Sequence, residues 1–96
     1  MRIVFRPQAR QEVLDAADWY RQRAPGLDRD FLLAVDAAVQ AAASRPLAHP
    51  LVEDNVRRVL VKRFPYTVVF DALPDELVVI AVFQHRREPT AWRLRR

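Results

Sequence analysis

Two clusters of basic residues concentrate the chemistry available to this chain. Arg57, Arg58, Lys62 and Arg63 fall within seven residues, and residues 85–96 carry five Arg together with His85, Glu88 and Trp92. Guanidinium groups hold phosphate or carboxylate through paired hydrogen bonds and stay charged when partly buried. Arg and aromatic side chains together can stack on and neutralise RNA, or equally dock an acidic peptide. In His85-Arg86-Arg87 the imidazole beside two cations reads as a candidate general base; a structural hydrogen-bonder is the plainer role. The carboxylates Glu12, Asp15 and Asp18 lie at helical spacing beside Arg10 and Arg21. They read as a solvated ion-pairing face rather than as an acid–base pair.

Composition removes most other chemistry. The chain has 96 residues, which allows one domain spanning 1–96, and no Cys, which excludes disulfides and thiolate metal cages. His49 and His85 are too far apart in sequence to suggest a His-based metal site, and a single Gly excludes the phosphate-cradling loops that need several. The only Ser, Ser44, lies outside any nucleophile-elbow pattern. No cofactor and no metal are expected. A hydrophobic fraction of 51% argues against disorder, and a net charge of +4 points to nucleic acid or an acidic protein as partner. Every basic residue except Lys62 is Arg. The start of the chain, Met1-Arg2-Ile3-Val4-Phe5-Arg6-Pro7, has too short an apolar run for a signal peptide, and no run approaches the roughly 18 apolar residues of a membrane helix. A cytoplasmic protein without a membrane partner is expected.

The elements that must position these residues follow from periodicity. Ile3-Val4-Phe5 reads as a short strand stopped by Pro7. Ala9, Val13, Ala16, Ala17 and Tyr20 form one face of a helix over 8–23, ended by Pro25-Gly26. Phe31, Val35, Ala38, Val39 and Ala42 repeat the same spacing in a second helix ending near Ser44-Arg45-Pro46, so the two helices form an antiparallel hairpin. Leu14 and Trp19 lie off the first stripe and either widen the core or await a partner. Residues 47–54 read as a loop, and residues 56–64, 66–71 and 77–83 as strands. The seven apolar residues from Leu77 to Phe83 predict a central strand buried on both faces. The fold class is α+β in the order β-α-α-β-β-β, with the helical hairpin packed on one side of a twisted antiparallel sheet. The other side is left for a partner or substrate.

Several fragments then line up in order: Ala16-Ala17-Asp18-Trp19-Tyr20, Pro25-Gly26-Leu27, Phe31-Leu32, Val56-Arg57-Arg58, Arg63-Phe64-Pro65-Tyr66, and residues 81–89 (Ala81 to Pro89) with Trp92. Over nearly its whole length the chain resembles the RelE/ParE superfamily of type II toxin–antitoxin toxins, in its ParE-like or plasmid stabilisation branch. The resemblance implies a bacterial toxin neutralised by a cognate antitoxin whose acidic, amphipathic segment wraps the helical hairpin and the open sheet. It implies contact with DNA only through that antitoxin. The expected binding surface is Trp19, Arg57, Arg58, Arg63, His85, Arg86, Arg87 and Trp92. ParE-like members inhibit DNA gyrase by binding and need no catalytic set. RelE-like members cut mRNA in the ribosomal A site, and for that chemistry Arg58, Lys62 and Arg87 would serve the phosphate and His85 the proton. RelE-type cleavage often uses a C-terminal Tyr or a His; the only Tyr residues here are Tyr20 and Tyr66, which favours the gyrase branch, while His85 beside two Arg keeps the nuclease reading open.

Overall fold

Pro7 opens helix α1 (Pro7–Arg23), where its missing N–H is one of the donors that lack a helical partner in any case, and Arg21 and Arg23 complement the dipole in the last turn. Gly26 follows with φ of 84°, a left-handed conformation, and its carbonyl accepts the Asp30 N–H at 3.2 Å. A Cβ placed on Gly26 meets nothing within 4 Å, so the position needs Gly for its backbone rather than for space. Helix α2 (Leu27–Ser44) begins at once, with Asp28 and Asp30 in its first turn. The buried residues of the two helices are those of the two apolar stripes, Ala9 to Tyr20 and Phe31 to Ala42.

The computed structural model describes residues 1–87 and 91–95. Glu88, Pro89, Thr90 and Arg96, and with them the Pro of the tail pattern, lie outside the described residues. Beyond the hairpin and strand β1 (Arg2–Phe5), the chain forms a 3-10 turn η1 (Pro46–Ala48) and strands β2 (Leu51–Glu53), β3 (Val56–Leu60), β4 (Tyr66–Ala72) and β5 (Glu76–Gln84). A 3-10 segment η2 (Ala91–Arg95) follows. The five strands make one sheet in the order β1-β5-β4-β3-β2. No helix among the described residues is long and apolar enough to cross a membrane.

The architecture is the expected α+β layer pair, with four refinements. The sheet is mixed: β2 to β5 are antiparallel, but β1 pairs parallel with β5, Arg2 opposite Glu76 and Phe5 opposite Val79. No tight turn dictates the direction of β1, because the whole helical hairpin and three strands separate it from its partner. The segment read as a loop contains β2, a three-residue strand whose register shifts between Leu51 and Glu53. The strand expected over 56–64 stops at Leu60; Lys62 and Arg63 belong to a turn in which Arg63 takes φ of 72°. The second face of the sheet is not left open: η2 lies on it, and Trp92 joins Val56, Val69, Val78, Ile80 and Ala81 in a second apolar cluster.

The main core lies between the helices and the first face of the sheet. Tyr20, Phe31, Phe64 and Tyr66 meet there with ring centroids 5.0–6.3 Å apart, tying both helices to the β3–β4 connection. Burial pushes the Tyr20 phenol above its ordinary value, and nearby Tyr66 adds to the rise. In the unfolded chain the same phenol ionises near about pH 10. The contribution of Tyr20 is therefore complete below that pH and is lost as the pH rises through the folded-state value. Tyr20→Phe is expected to flatten the alkaline fall in stability, seen as a smaller drop in urea midpoint between about pH 8 and about pH 11 than in the parent protein.

Candidate partner-binding surface

The two basic clusters of the sequence come together at one end of the sheet. The backbone N–H of His85, in the turn after β5, donates to the Pro65 carbonyl at 2.9 Å, and this holds the turn beside the β3–β4 connection. Lys62 and Arg63 from one turn and His85, Arg86 and Arg87 from the other therefore share this end, and all five are exposed. His85 Nδ1 lies 2.8 Å from Thr67 Oγ1, and Thr67 is the buried polar residue of the sheet. That bond fixes the ring and leaves Nε2 as the nitrogen available to a partner.

Arg58 projects from β3 on the second face of the sheet, opposite Val69 and one strand position from Leu60, which is also exposed. Among the described residues no carboxylate pairs with Arg58, Lys62, Arg63, Arg86 or Arg87. Four arginines elsewhere are paired with carboxylates, Arg2 with Glu76, Arg21 with Asp18, Arg93 with Glu53 and Arg95 with Glu12, whereas Arg6, Arg10, Arg23, Arg29 and Arg45 also lack a carboxylate partner among the described residues. The hydrogen bond from Arg21 also holds the Asp18 carboxyl below its usual range. What sets this end apart is that four unpaired cations, Lys62, Arg63, Arg86 and Arg87, sit together on two neighbouring turns, an arrangement that can attract an acidic segment or a polyanion.

Two residues expected at the surface have structural roles instead. Arg57 is half-buried on the helix side of the sheet, where its Nη1 donates to the His49 carbonyl at 2.7 Å and ties down the chain between η1 and β2. Trp92 is only 4% exposed, with its indole packed against the second sheet face. Trp19 does stand at the surface, 47% exposed, edge-on to Tyr20 and beneath the Arg23 guanidinium at 4.2 Å from its ring centroid. It lines a groove of about 380 Å³ between α1 and the far half of β5, with Glu12, Asp15, Phe83 and Arg87 among the other walls.

Sequence reasoning missed three members of this surface. Thr67 sits beside the apolar run Val68-Val69-Phe70 of β4, and that aliphatic hydroxyl was the available signal. Leu60 and Phe83 were read as ordinary strand residues. The stripe of Glu12, Asp15 and Asp18 is polar as expected, but Glu12 does more than meet solvent: it accepts a hydrogen bond from the backbone of β5.

Comparison with known proteins agrees with this fold. The family model for the ParE toxin of the parDE type II toxin–antitoxin system matches residues 3–89. Among solved structures, one titled as the chromosomal ParDE toxin–antitoxin system from P. aeruginosa superposes with a TM-score of 0.75 at 15% identity, covering 88% of this chain and 95% of that one. No curated protein matches significantly.

Arg63 gives a direct test of which cations serve binding. Its left-handed backbone is strained for any residue with a Cβ. Arg63→Gly is expected to stabilise the fold by about 1 kcal/mol, a rise of roughly 4–8 °C in Tm, while removing one charge from the basic end. Thermal unfolding and salt-dependent binding of an acidic peptide, measured on the same variant, should then move in opposite directions.

Proposed function

Since the chain belongs to the ParE toxin family of type II toxin–antitoxin systems, we propose that it arrests growth by binding DNA gyrase and is silenced by an acidic, amphipathic segment of a cognate antitoxin. The observation that carries this reading is the uncompensated basic end, where Lys62, Arg63, Arg86 and Arg87 surround His85 without a carboxylate partner among the described residues. Such a surface attracts an acidic protein and gains affinity on contact with it without requiring a reaction. Both phenols belong to the aromatic core, Tyr20 and Tyr66 each 8% exposed, and Tyr66 also lines the α1–β5 groove. The half-exposed Trp19 beside the α1–β5 groove adds an apolar anchor of the kind that carries interface energy.

One observation favours a second reading. The Thr67–His85 hydrogen bond fixes an imidazole at the basic end, with Arg58, Lys62 and Arg87 exposed on the same part of the sheet. In a ribosome-dependent mRNA endonuclease these cations would hold the scissile phosphate and His85 would move the proton.

Induction in a bacterium separates the two. Gyrase inhibition gives DNA breaks and a damage response with intact mRNA, whereas codon-phased mRNA 5′ ends without DNA damage would overturn it. For the purified protein, the double variant Arg86→Glu and Arg87→Glu is expected to weaken capture of the acidic antitoxin segment by about tenfold at low salt, and by less at high salt. Titration calorimetry at two ionic strengths reads this directly.

A further inference from the structure

Glu12 is the point where helix, sheet and C-terminal segment meet. Its Oε1 accepts the Val82 backbone N–H at 2.9 Å and Nη1 of Arg95 at 2.8 Å, and its Oε2 accepts Nη2 of Arg95 at 3.2 Å. Nη1 of Arg95 also reaches the Ile80 carbonyl at 3.2 Å. The Val82 donor needs this acceptor because β1 pairs with β5 only as far as Val79, and beyond it no strand among the described residues covers that edge. The ion pair is largely withdrawn from water, with the Arg95 and Glu12 side chains 16% and 28% exposed.

Among the described residues the rest of η2 has few other anchors. Arg93 pairs with Glu53 on β2, in a more open setting, and its guanidinium lies 5.0 Å from the ring centroid of Trp92. Trp92 itself plugs the second face of the sheet. A 3-10 segment of five residues has no stability of its own, so among the described residues its position rests on these two ion pairs, the Arg95 bond to the Ile80 carbonyl and one indole. They also act at separate places, since Glu53 belongs to one edge strand of the sheet and Glu12 to helix α1.

We propose that η2 is a releasable strap, latched by Glu12, that governs access to the apolar second face of the sheet. Closed, it covers Val56, Val69, Val78, Ile80 and Ala81 with Trp92. Open, it presents that floor beside Arg58 and Leu60, which are exposed already. Glu12 is a positioning residue in this scheme. It holds the strap through Arg95 and the β5 edge through Val82, so the two functions can be separated by substitution. The strap goes beyond the toxin reading and does not depend on it, because it concerns contacts within this chain alone.

The test uses Trp19→Phe, which leaves Trp92 as the single indole. In that background Glu12→Arg and Arg95→Glu each set like charges against one another at the latch. Each is expected to raise acrylamide quenching of Trp92 and amide exchange in residues 91–95, with exchange faster by about tenfold, while the β4 amides of Val68 and Phe70 keep their protection. The double variant Glu12→Arg with Arg95→Glu restores opposite charges and should reclose the strap. Glu12→Gln keeps an acceptor for the Val82 N–H but loses the charge, so the Val82 amide should stay protected as the strap loosens. The proposal is overturned if the single variants leave Trp92 as shielded as before, or if the double variant does not restore shielding. It is equally overturned if the β4 amides lose protection together with the strap, because η2 would then open only with the whole fold.

Discussion

Strand β5 cannot be left wet on either side. Leu77, Val79 and Val82 belong to the cluster that faces the helices, while Val78, Ile80 and Ala81 belong to the cluster under Trp92. Burial of each large aliphatic side chain is worth about 1.5–3 kcal/mol, so both faces demand a cover, and the rest of the structure supplies two of unequal size. The helical hairpin covers the first with a close-packed layer containing the aromatic group Tyr20, Phe31, Phe64 and Tyr66. The second is covered by one indole on a five-residue segment. The molecule is therefore well closed on one side and lightly closed on the other. The lightly closed side is also the one that carries Arg58 and Leu60.

Charge follows the same asymmetry. Carboxylates are spent on holding elements together: Glu76 on the β1 side chain of Arg2, Glu53 and Glu12 on the two ends of η2. None of the described carboxylates is spent on the cations around His85. An exposed pair contributes little to stability, so the fold loses little by leaving those cations unmatched, and the surface gains a field that extends over about a Debye length. Different Arg residues thus hold the fold and stand free of it. Arg57 and Arg95 secure backbone carbonyls from within, and Arg58, Arg86 and Arg87 remain available outside.

The parts of this arrangement legible in the sequence are the local ones. Both helix faces could be read residue by residue, because a 3.6-residue period repeated over three turns has few competing explanations, and the double burial of β5 followed from its unbroken apolar run. Strand β2 was invisible because three residues after Pro50 carry no period. The parallel direction of β1 was hidden because its partner lies more than 70 positions away. Arg63 broke the strand reading through a backbone angle that its residue type does not announce. The role of Glu12 was the least legible of all. Its partners are 70 and 83 positions away, and on the helix it is one acid among three.

The pairing of β1 with β5 also sets an order of events during synthesis. Both helices precede β4 and β5 in the chain, so their apolar stripes are made before the sheet face they pack on, and β1 must find a neighbour more than 70 positions further along. Contacts of such long range form late because the intervening chain must be gathered first. Until β4 and β5 have joined it, the hairpin is an amphipathic element with no sheet to cover its stripes.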